Sequence, residues 1–358
     1  MRWAGQQVDA ESADALPGLA SRHDLVRSVQ TPEFAGITFH EVTCKSALNK
    51  VPEASRMPFR WTVNPTRGCL HACTYCFARP THEYLDLDAG RDFETQIVVK
   101  TNVVEVLRAE LARPSWRGEH VALGTNTDPY QRVEGRYRFM PGIIDALVRS
   151  GTPLSILTKG TLLRRDLAQL AEASTQVPVG IGISLAVGDE ALQQAVEPGT
   201  PTPRARLDLI RAVREAGLPC GVMVAPVLPW LTDGRGPLDE LLASLADAGA
   251  TGVTVLPLHL RGPVKPLFLA WLAQHAPGLV HRYEALYGRG AYVPREYARW
   301  LESRVRPLLV RHGFANAAGH RAGRSSAARE GAYPTGSIAD AATPALVPAV
   351  ASAQPVLF

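Results

Sequence analysis

Between residues 59 and 258 short apolar runs alternate with longer stretches whose apolar residues recur three and four apart. Six short runs read as strands, at 59–63, 120–124, 153–158, 178–185, 220–226 and 252–258. They are compact and rich in Val, Ile and Leu rather than strictly alternating. A strand covered on both faces looks like this, because neither side meets water. Between them, Val103, Val106, Leu107 and Leu111 mark one helical stripe, with Thr101 placed to cap it. Ile143, Ile144, Leu147 and Val148 mark a second, with Pro141 as the expected first helical position. Leu207, Ile210, Val213 and Arg214 belong to a third, ended by Gly217, and Leu238, Leu241, Leu242 and Leu245 form a fourth.

Strands separated by helices predict right-handed crossovers and a parallel sheet, an α/β fold. Ligands of such sheets gather where the strands end and the next loops begin. Four polar segments fall at such ends: 64–79, then GTNTDPYQ (124–131), TKG (158–160) and ISLAVGD (183–189). All four are expected on one rim.

Outside this core the pattern weakens. Residues 1–57 read as a poorly periodic N-terminal extension, 58–260 as the core barrel and 261–315 as a helical C-terminal extension. From 316 to 358 the chain runs to Ala, Pro, Gly and Ser, with too few large apolar residues to offset the entropy of ordering, so this tail is expected to be disordered. Within 295–313, Arg295, Arg299, Arg304, Arg306 and Arg311 alternate with Tyr297, Trp300, Leu301, Val305, Leu308 and Leu309. That pattern reads as an amphipathic helix with a solvated basic face rather than a nucleic-acid footprint.

The 358 residues carry a net charge of only +4, which favours an acidic partner weakly. No run of about 18 apolar residues appears and no secretory signal opens the chain, so a cytoplasmic protein without a membrane partner is expected.

The stretch NPTRGCLHACTYCFAR (64–79) changes the picture, because Cys69, Cys73 and Cys76 supply three of the five cysteines. An odd, crowded set reads as a metal or redox site rather than a disulfide framework. A closed zinc site wants four ligands. His71 and His82 are the nominees for a fourth, although His71 sits inside the tight loop. Three thiolates on a cubane cluster would instead leave one iron open for a ligand. A structural zinc or iron–sulfur protein without radical chemistry is the alternative to an enzyme.

The spacing Cys-x3-Cys-x2-Cys in GCLHACTYCFAR, with Tyr75 before the last cysteine, is similar to the signature of the radical S-adenosylmethionine (radical SAM) enzymes. Together with LTKG (157–160), ISL (183–185) and VEPGTPTPRARLDLIRAVREAG (196–217), it resembles the spore photoproduct lyase-related branch over about residues 58–260. The resemblance implies a partial (β/α)6 barrel of the TIM type with a [4Fe-4S] cluster on Cys69, Cys73 and Cys76. The open iron would be chelated by S-adenosyl-L-methionine, whose reductive cleavage gives a 5′-deoxyadenosyl radical that takes hydrogen from an unknown substrate. An electron donor such as flavodoxin or ferredoxin is implied.

The same resemblance implies cofactor-binding roles, each beside a plainer reading. Tyr75 matches an aromatic position along the adenine, or packs the loop. Lys159 matches a lysine that reaches the cofactor carboxylate, or is a solvated strand end. Ser184 matches a ligand of the ribose or methionyl end, or satisfies local backbone. Thr125, Asn126 and Asp128 stand where the family wraps the methionyl amino group, or form a polar turn. Glu197 and Arg206 match a pair that binds the cofactor or braces the loop, with bracing the expectation for Glu197. Gly68 permits the turn into the loop, and Arg67 is expected to be exposed. The lyase returns hydrogen through a cysteine at the end of its second strand, where this chain has Gly124 or Thr125. DNA-lesion repair by that route is therefore not expected, while a nucleic-acid-related substrate stays open. Cys44 and Cys220 read as inert apolar residues.

Overall fold

A computed structural model describes residues 25–52, 55, 57, 59–314 and 335–337. Its strands, in chain order, are β1 (Leu25–Val29), β2 (Thr38–Val42), β3 (Leu48–Lys50), β4 (Trp61–Val63), β5 (Thr66–Arg67), β6 (Gln96–Lys100), β7 (Val121–Leu123), β8 (Leu154–Thr158), β9 (Val179–Ser184), β10 (Gly221–Val227) and β11 (Gly252–Pro257). The larger sheet has the order β11-β10-β9-β8-β7-β4-β3. Its strands are parallel from β4 to β11, and β3 closes one edge antiparallel to β4. The six parallel strands are the six expected from sequence, joined by helices, in the arrangement of a partial (β/α)6 barrel.

The poorly periodic first fifty residues supply β1–β3. A second sheet, β1-β2-β6-β5, joins two of these to β5 and β6, the strands that flank the cysteine loop. One face of this sheet joins the main core through Phe39, Ile97 and Val99, and on the other Val42 and Val98 form a separate small cluster with Leu85 and Leu87.

The helical stripes form where expected, with shifted ends. Helix Val103–Leu111 is preceded by Asn102 as N-cap, not Thr101. The Asn102 side chain is tied to Cys44, accepting from its N–H at 2.7 Å and donating to its carbonyl at 3.1 Å, while the Thr101 hydroxyl donates to Val42 O at 3.1 Å. Helix Phe139–Arg149 begins two residues before Pro141. Its opening N–H groups, on Phe139 and Met140, donate to the Glu134 carboxylate at 2.9 and 3.1 Å. Proline is tolerated in this first turn, where N–H groups have no intrahelical partner. Helix Pro203–Glu215 buries Arg206, Leu209, Ile210 and Val213, leaving Leu207 half-buried and Arg214 exposed. The buried face is rotated because it must seat a buried arginine.

The 261–315 region contributes helices Val264–His275, Val280–Tyr287 and Arg295–Arg311. The first two pack Phe268, Trp271, Leu272, Tyr283 and Tyr287 against Cys73, Tyr75, Val196 and Leu258, so they cover the rim at the strand C-termini. In helix Arg295–Arg311, Leu301, Val305, Leu308 and Leu309 are buried, and Arg299 and Arg311 lie in solvent. Among the described residues no helix is long and apolar enough to cross a membrane. The expectation of a disordered tail falls outside the described residues except at Thr335–Ser337, which lie against β9–β11.

Candidate functional site

The cysteine loop leaves β5 through Gly68 at φ +83, where a Cβ would meet Ile97 Cδ1 at 2.8 Å and Phe93 O at 2.9 Å. A side chain has neither the room nor the backbone conformation there. Beyond it Cys69 and Cys73 are buried and Cys76 half-buried. The loop's own N–H groups fold it: Cys69 N donates to Phe93 O at 2.9 Å, Ala72 N to Cys69 O at 3.2 Å, and Cys76 N to Cys73 O at 3.2 Å.

Two buried side chains clamp this loop, and the sequence analysis named neither. Arg79 donates through Nε to Cys73 O at 3.0 Å, through Nη2 to Ala72 O at 3.1 Å and through Nη1 to Gly90 O at 2.7 Å. Its charge is met by Glu94 at 3.4 Å. Gln131 accepts from Leu70 N at 2.8 Å and donates to Thr66 Oγ1 at 3.0 Å and Gly68 O at 3.2 Å. Arg79 closes the quoted motif and Gln131 closes GTNTDPYQ. Their place beside the chemistry was the only available signal.

On the neighbouring strand ends, Lys159 follows β8 with its Nζ 4.0 Å from Glu197 Oε1 and 5.8 Å from the Tyr75 ring centre. Burial would lower its pKa, but the Cys73 sulfur and the Glu197 carboxylate outweigh that and raise it. Glu197 is fully buried, and its carboxylate accepts from the Tyr75 hydroxyl and, at 2.6 Å, from Arg206 Nη2. Arg206, equally buried, also donates to Ser184 O, Pro201 O and Thr200 Oγ1, each at 3.0 Å. The guanidinium is thus committed to the chain itself. Ser184 is buried; its carbonyl is held by Arg206, and its hydroxyl has no hydrogen bond among the described residues.

Asp128 is a second hub. It accepts from Thr158 Oγ1 at 2.5 Å, Lys159 N at 2.6 Å and Tyr130 N at 2.9 Å, and pairs with His71 Nδ1 at 3.3 Å. Burial would raise its carboxyl, but His71 and these donors hold its pKa at about 2. Burial would lower His71, yet Asp128 and Cys69 raise it to about 10. Thr125 and Asn126 lean on buried Asn64, whose Oδ1 accepts from Thr125 Oγ1 at 3.4 Å and Asn126 N at 3.3 Å. Asn126 remains exposed at the rim. The sequence did not single out Asn64.

The candidates therefore gather on one rim, though not in one role. Lys159 faces the cysteine loop and the Ser184 hydroxyl is spare, whereas Tyr75, Asp128, Glu197 and Arg206 are held by partners within the protein. Of the two histidines nominated for zinc, His71 pairs through Nδ1 with Asp128, and His82 donates Nε2–H to Gln96 O at 2.9 Å while its buried Nδ1 has no hydrogen-bond partner among the described residues. Among the described residues, no three of His, Cys, Asp and Glu converge as ligands of a single metal ion. Arg67 is half-buried rather than exposed. Cys220 opens β10, at the end of the barrel away from the cysteine loop, and burial pushes its thiol up to about 12.

Gly124, directly after β7, has φ +88, and a Cβ there would lie 1.9 Å from Leu157 O. Gly124→Ala is expected to destabilise the protein by about 3 kcal/mol, from left-handed backbone strain plus overpacking. A drop in urea midpoint with unchanged m-value would show it.

A three-cysteine loop stands at the C-terminal mouth of a partial parallel barrel, with Lys159 and Ser184 on the neighbouring strand ends. The family model of the Radical SAM superfamily matches residues 63–242, and this chain belongs to that superfamily. An uncharacterized protein of Mycobacterium tuberculosis is 65% identical over 319 residues, covering 88% of this chain and 94% of its own length. An uncharacterized protein of Acidianus two-tailed virus is 29% identical over 210 residues, covering 56% of this chain and 68% of its own. Among solved structures, spore photoproduct lyase complexed with dinucleoside spore photoproduct is similar at a TM-score of 0.57 and 18% identity, covering 77% of this chain and 80% of that one. A single-residue variant of that lyase is similar at a TM-score of 0.58 and 19% identity over the same shares. At these identities the structures speak for the shared fold. The protein is a radical SAM enzyme, and its relatives leave its substrate open.

Proposed function

We propose that Cys69, Cys73 and Cys76 hold a [4Fe-4S] cluster and that S-adenosyl-L-methionine binds its open iron, with an unknown substrate in the barrel mouth. The observation that carries this reading is the lysine cation beside the three-cysteine loop: Lys159 faces Cys73 and Glu197 and keeps its charge despite burial. The donor set fits the group. Burial pushes the Cys73 thiol well above its usual range and raises that of Cys76, whereas iron takes up the thiolate form. When bound, this pair of groups supplies a one-electron reductive cleavage of the sulfonium and a carbon radical able to take a hydrogen atom.

The chain's own residues bind and orient. Lys159 reaches the carboxylate end of the cofactor, and Tyr75 is fixed against the loop by its bond to Glu197. The spare Ser184 hydroxyl reaches the ribose or methionyl end, and Thr125 and Asn126 border the amino end. Asp128 and Arg206 hold the strand ends in place without touching the cofactor. The helices carrying Phe268, Trp271 and Tyr283 roof the rim with apolar surface and exclude water. A flavodoxin or ferredoxin supplies the electron, and the reaction is cytoplasmic. Gly124 has no space for the thiol by which the lyase returns hydrogen, so the substrate differs in how it is quenched.

Anaerobic reconstitution tests this. About four irons and four sulfides per chain are expected, and 5′-deoxyadenosine on adding dithionite and cofactor. Retained zinc and no nucleoside would favour a structural site. Lys159→Met is expected to weaken cofactor binding about tenfold or more, the worth of a charge-assisted hydrogen bond. Equilibrium dialysis at unchanged iron content reads this out, and unaltered affinity would remove Lys159 from the site.

A further inference from the structure

The inner face of the barrel has its own occupant at the end away from the cysteines. Val222, Val224, Val253 and Val255 pack with the helices in the main core. The period of two along a strand then turns Gly221, Gly252 and Thr254 to the inside. Thr335–Ser337 lie on that inner face. Thr335 Oγ1 accepts from Thr254 Oγ1 at 3.1 Å, Gly336 O accepts from the Thr251 hydroxyl, and Ser337 O accepts from Ile181 N at 3.1 Å. Ile181 N sits below the level at which β10 begins to pair, since the β9–β10 register starts at Gly182↔Gly221. The tail segment therefore supplies the partner that β10 does not.

Three glycines make the seat. A Cβ on Gly221 would meet Thr335 O at 2.5 Å, and one on Gly252 would meet Thr335 O at 2.7 Å and Gly336 Cα at 2.8 Å. Gly336 itself has φ +74, and its Cβ would meet Gly252 N at 2.4 Å. Backbone rests on backbone in both directions, an approach that only glycine permits. Ser337 is fully buried there. Such a fit between segments 80 and more residues apart marks a specific docking of the tail.

We propose that the Thr335–Ser337 segment is the floor of the reaction chamber: a plug, supplied by the chain's own tail, that closes the barrel's inner space from the N-terminal ends of β9–β11. Among the described residues the chamber then opens at the cysteine face, and its depth toward substrate is set by this segment. The chamber's chemistry rests on the radical reading above; the plug itself does not, and its test requires no cluster.

Hydrogen exchange on the full chain reads the plug through the Ile181 amide. That amide is expected to be protected in the wild type and to exchange at least about tenfold faster in Gly336→Val, where the seat cannot accept a side chain. Protease sensitivity around 335–337 should rise with it. Because Gly336→Val also strains the backbone at φ +74, a double variant, Thr254→Cys with Thr335→Cys, gives a second measurement. Mild oxidation should link these two positions, seen as a cross-linked peptide pair by mass spectrometry. Free exchange at Ile181 in the wild type, or no cross-link in a folded double variant, would overturn the proposal. Iron content and nucleoside formation report on the radical reading separately, so either idea can fail alone.

Discussion

Replacing Arg206 with methionine is expected to lower stability by about 3–5 kcal/mol, the usual consequence of leaving a buried charge without its partner. Arg206 and Glu197 are both fully buried and meet at 2.6 Å. Burial would raise the Glu197 carboxyl, but Arg206 and Lys159 together hold it below its usual range. Removing the guanidinium also takes a donor from Ser184 O, Pro201 O and Thr200 Oγ1, the last of which keeps Gln193 Nε2. The cost therefore exceeds that of one salt bridge. Adding Glu197→Gln to Arg206→Met should return part of the loss, because the orphaned charge is then gone. Urea unfolding of the single and double variants measures both, and a double variant no better than the single would show that Glu197 is not carrying the charge assigned to it. Since the pair holds Tyr75 and the Ser184 carbonyl, cofactor affinity should fall alongside stability.

Cys73→Ala is expected to abolish the visible absorbance of the reconstituted protein and to cut bound iron from about four per chain to a small residue. Cys73 is buried between the loop and the rim-covering helices, next to Lys159. His71 is held through Nδ1 by Asp128, and His82 through Nε2 by the Gln96 carbonyl. Cys220→Ala is the matching control. Its sulfur is buried at the opposite end of the barrel, so iron and absorbance should be unchanged. Full absorbance in Cys73→Ala would remove this residue from the ligand set. Loss of absorbance in both variants would point to general misfolding, which far-UV circular dichroism would reveal.

The comparison of sequence with structure is instructive at particular residues. All six barrel strands were legible, because a strand covered on both faces must be a nearly continuous apolar run. Helix ends were less so. Thr101 and Pro141 carry good local signals for a helix start, yet Asn102 and Glu134 decide where the helices begin. Glu134 does so from a preceding helix, which no local pattern encodes. The cysteine loop was fully legible, as was its position after the first barrel strand. What held it was not: Gln131 reaches Leu70 across 61 residues, and Tyr75 meets Glu197 across 122. Asp128 and Arg206 have the residue types of ligands, but the fold surrounds both with partners from the chain.

By itself, the sequence determined the alternation of strand and helix, the parallel sheet and the three cysteines at its rim. Each of these is written in neighbouring residues, through periodicity or through spacing within one loop. Only the tertiary structure decided which polar side chains remain free for a ligand and which brace the strand ends. It also decided that residues 25–42 join β5 and β6 in a sheet beside the cysteine loop and that Thr335–Ser337 lie against β9–β11. Hydrophobic burial follows a pattern along the chain, whereas a hydrogen bond or a glycine seat is settled by whichever distant segment the fold brings against it.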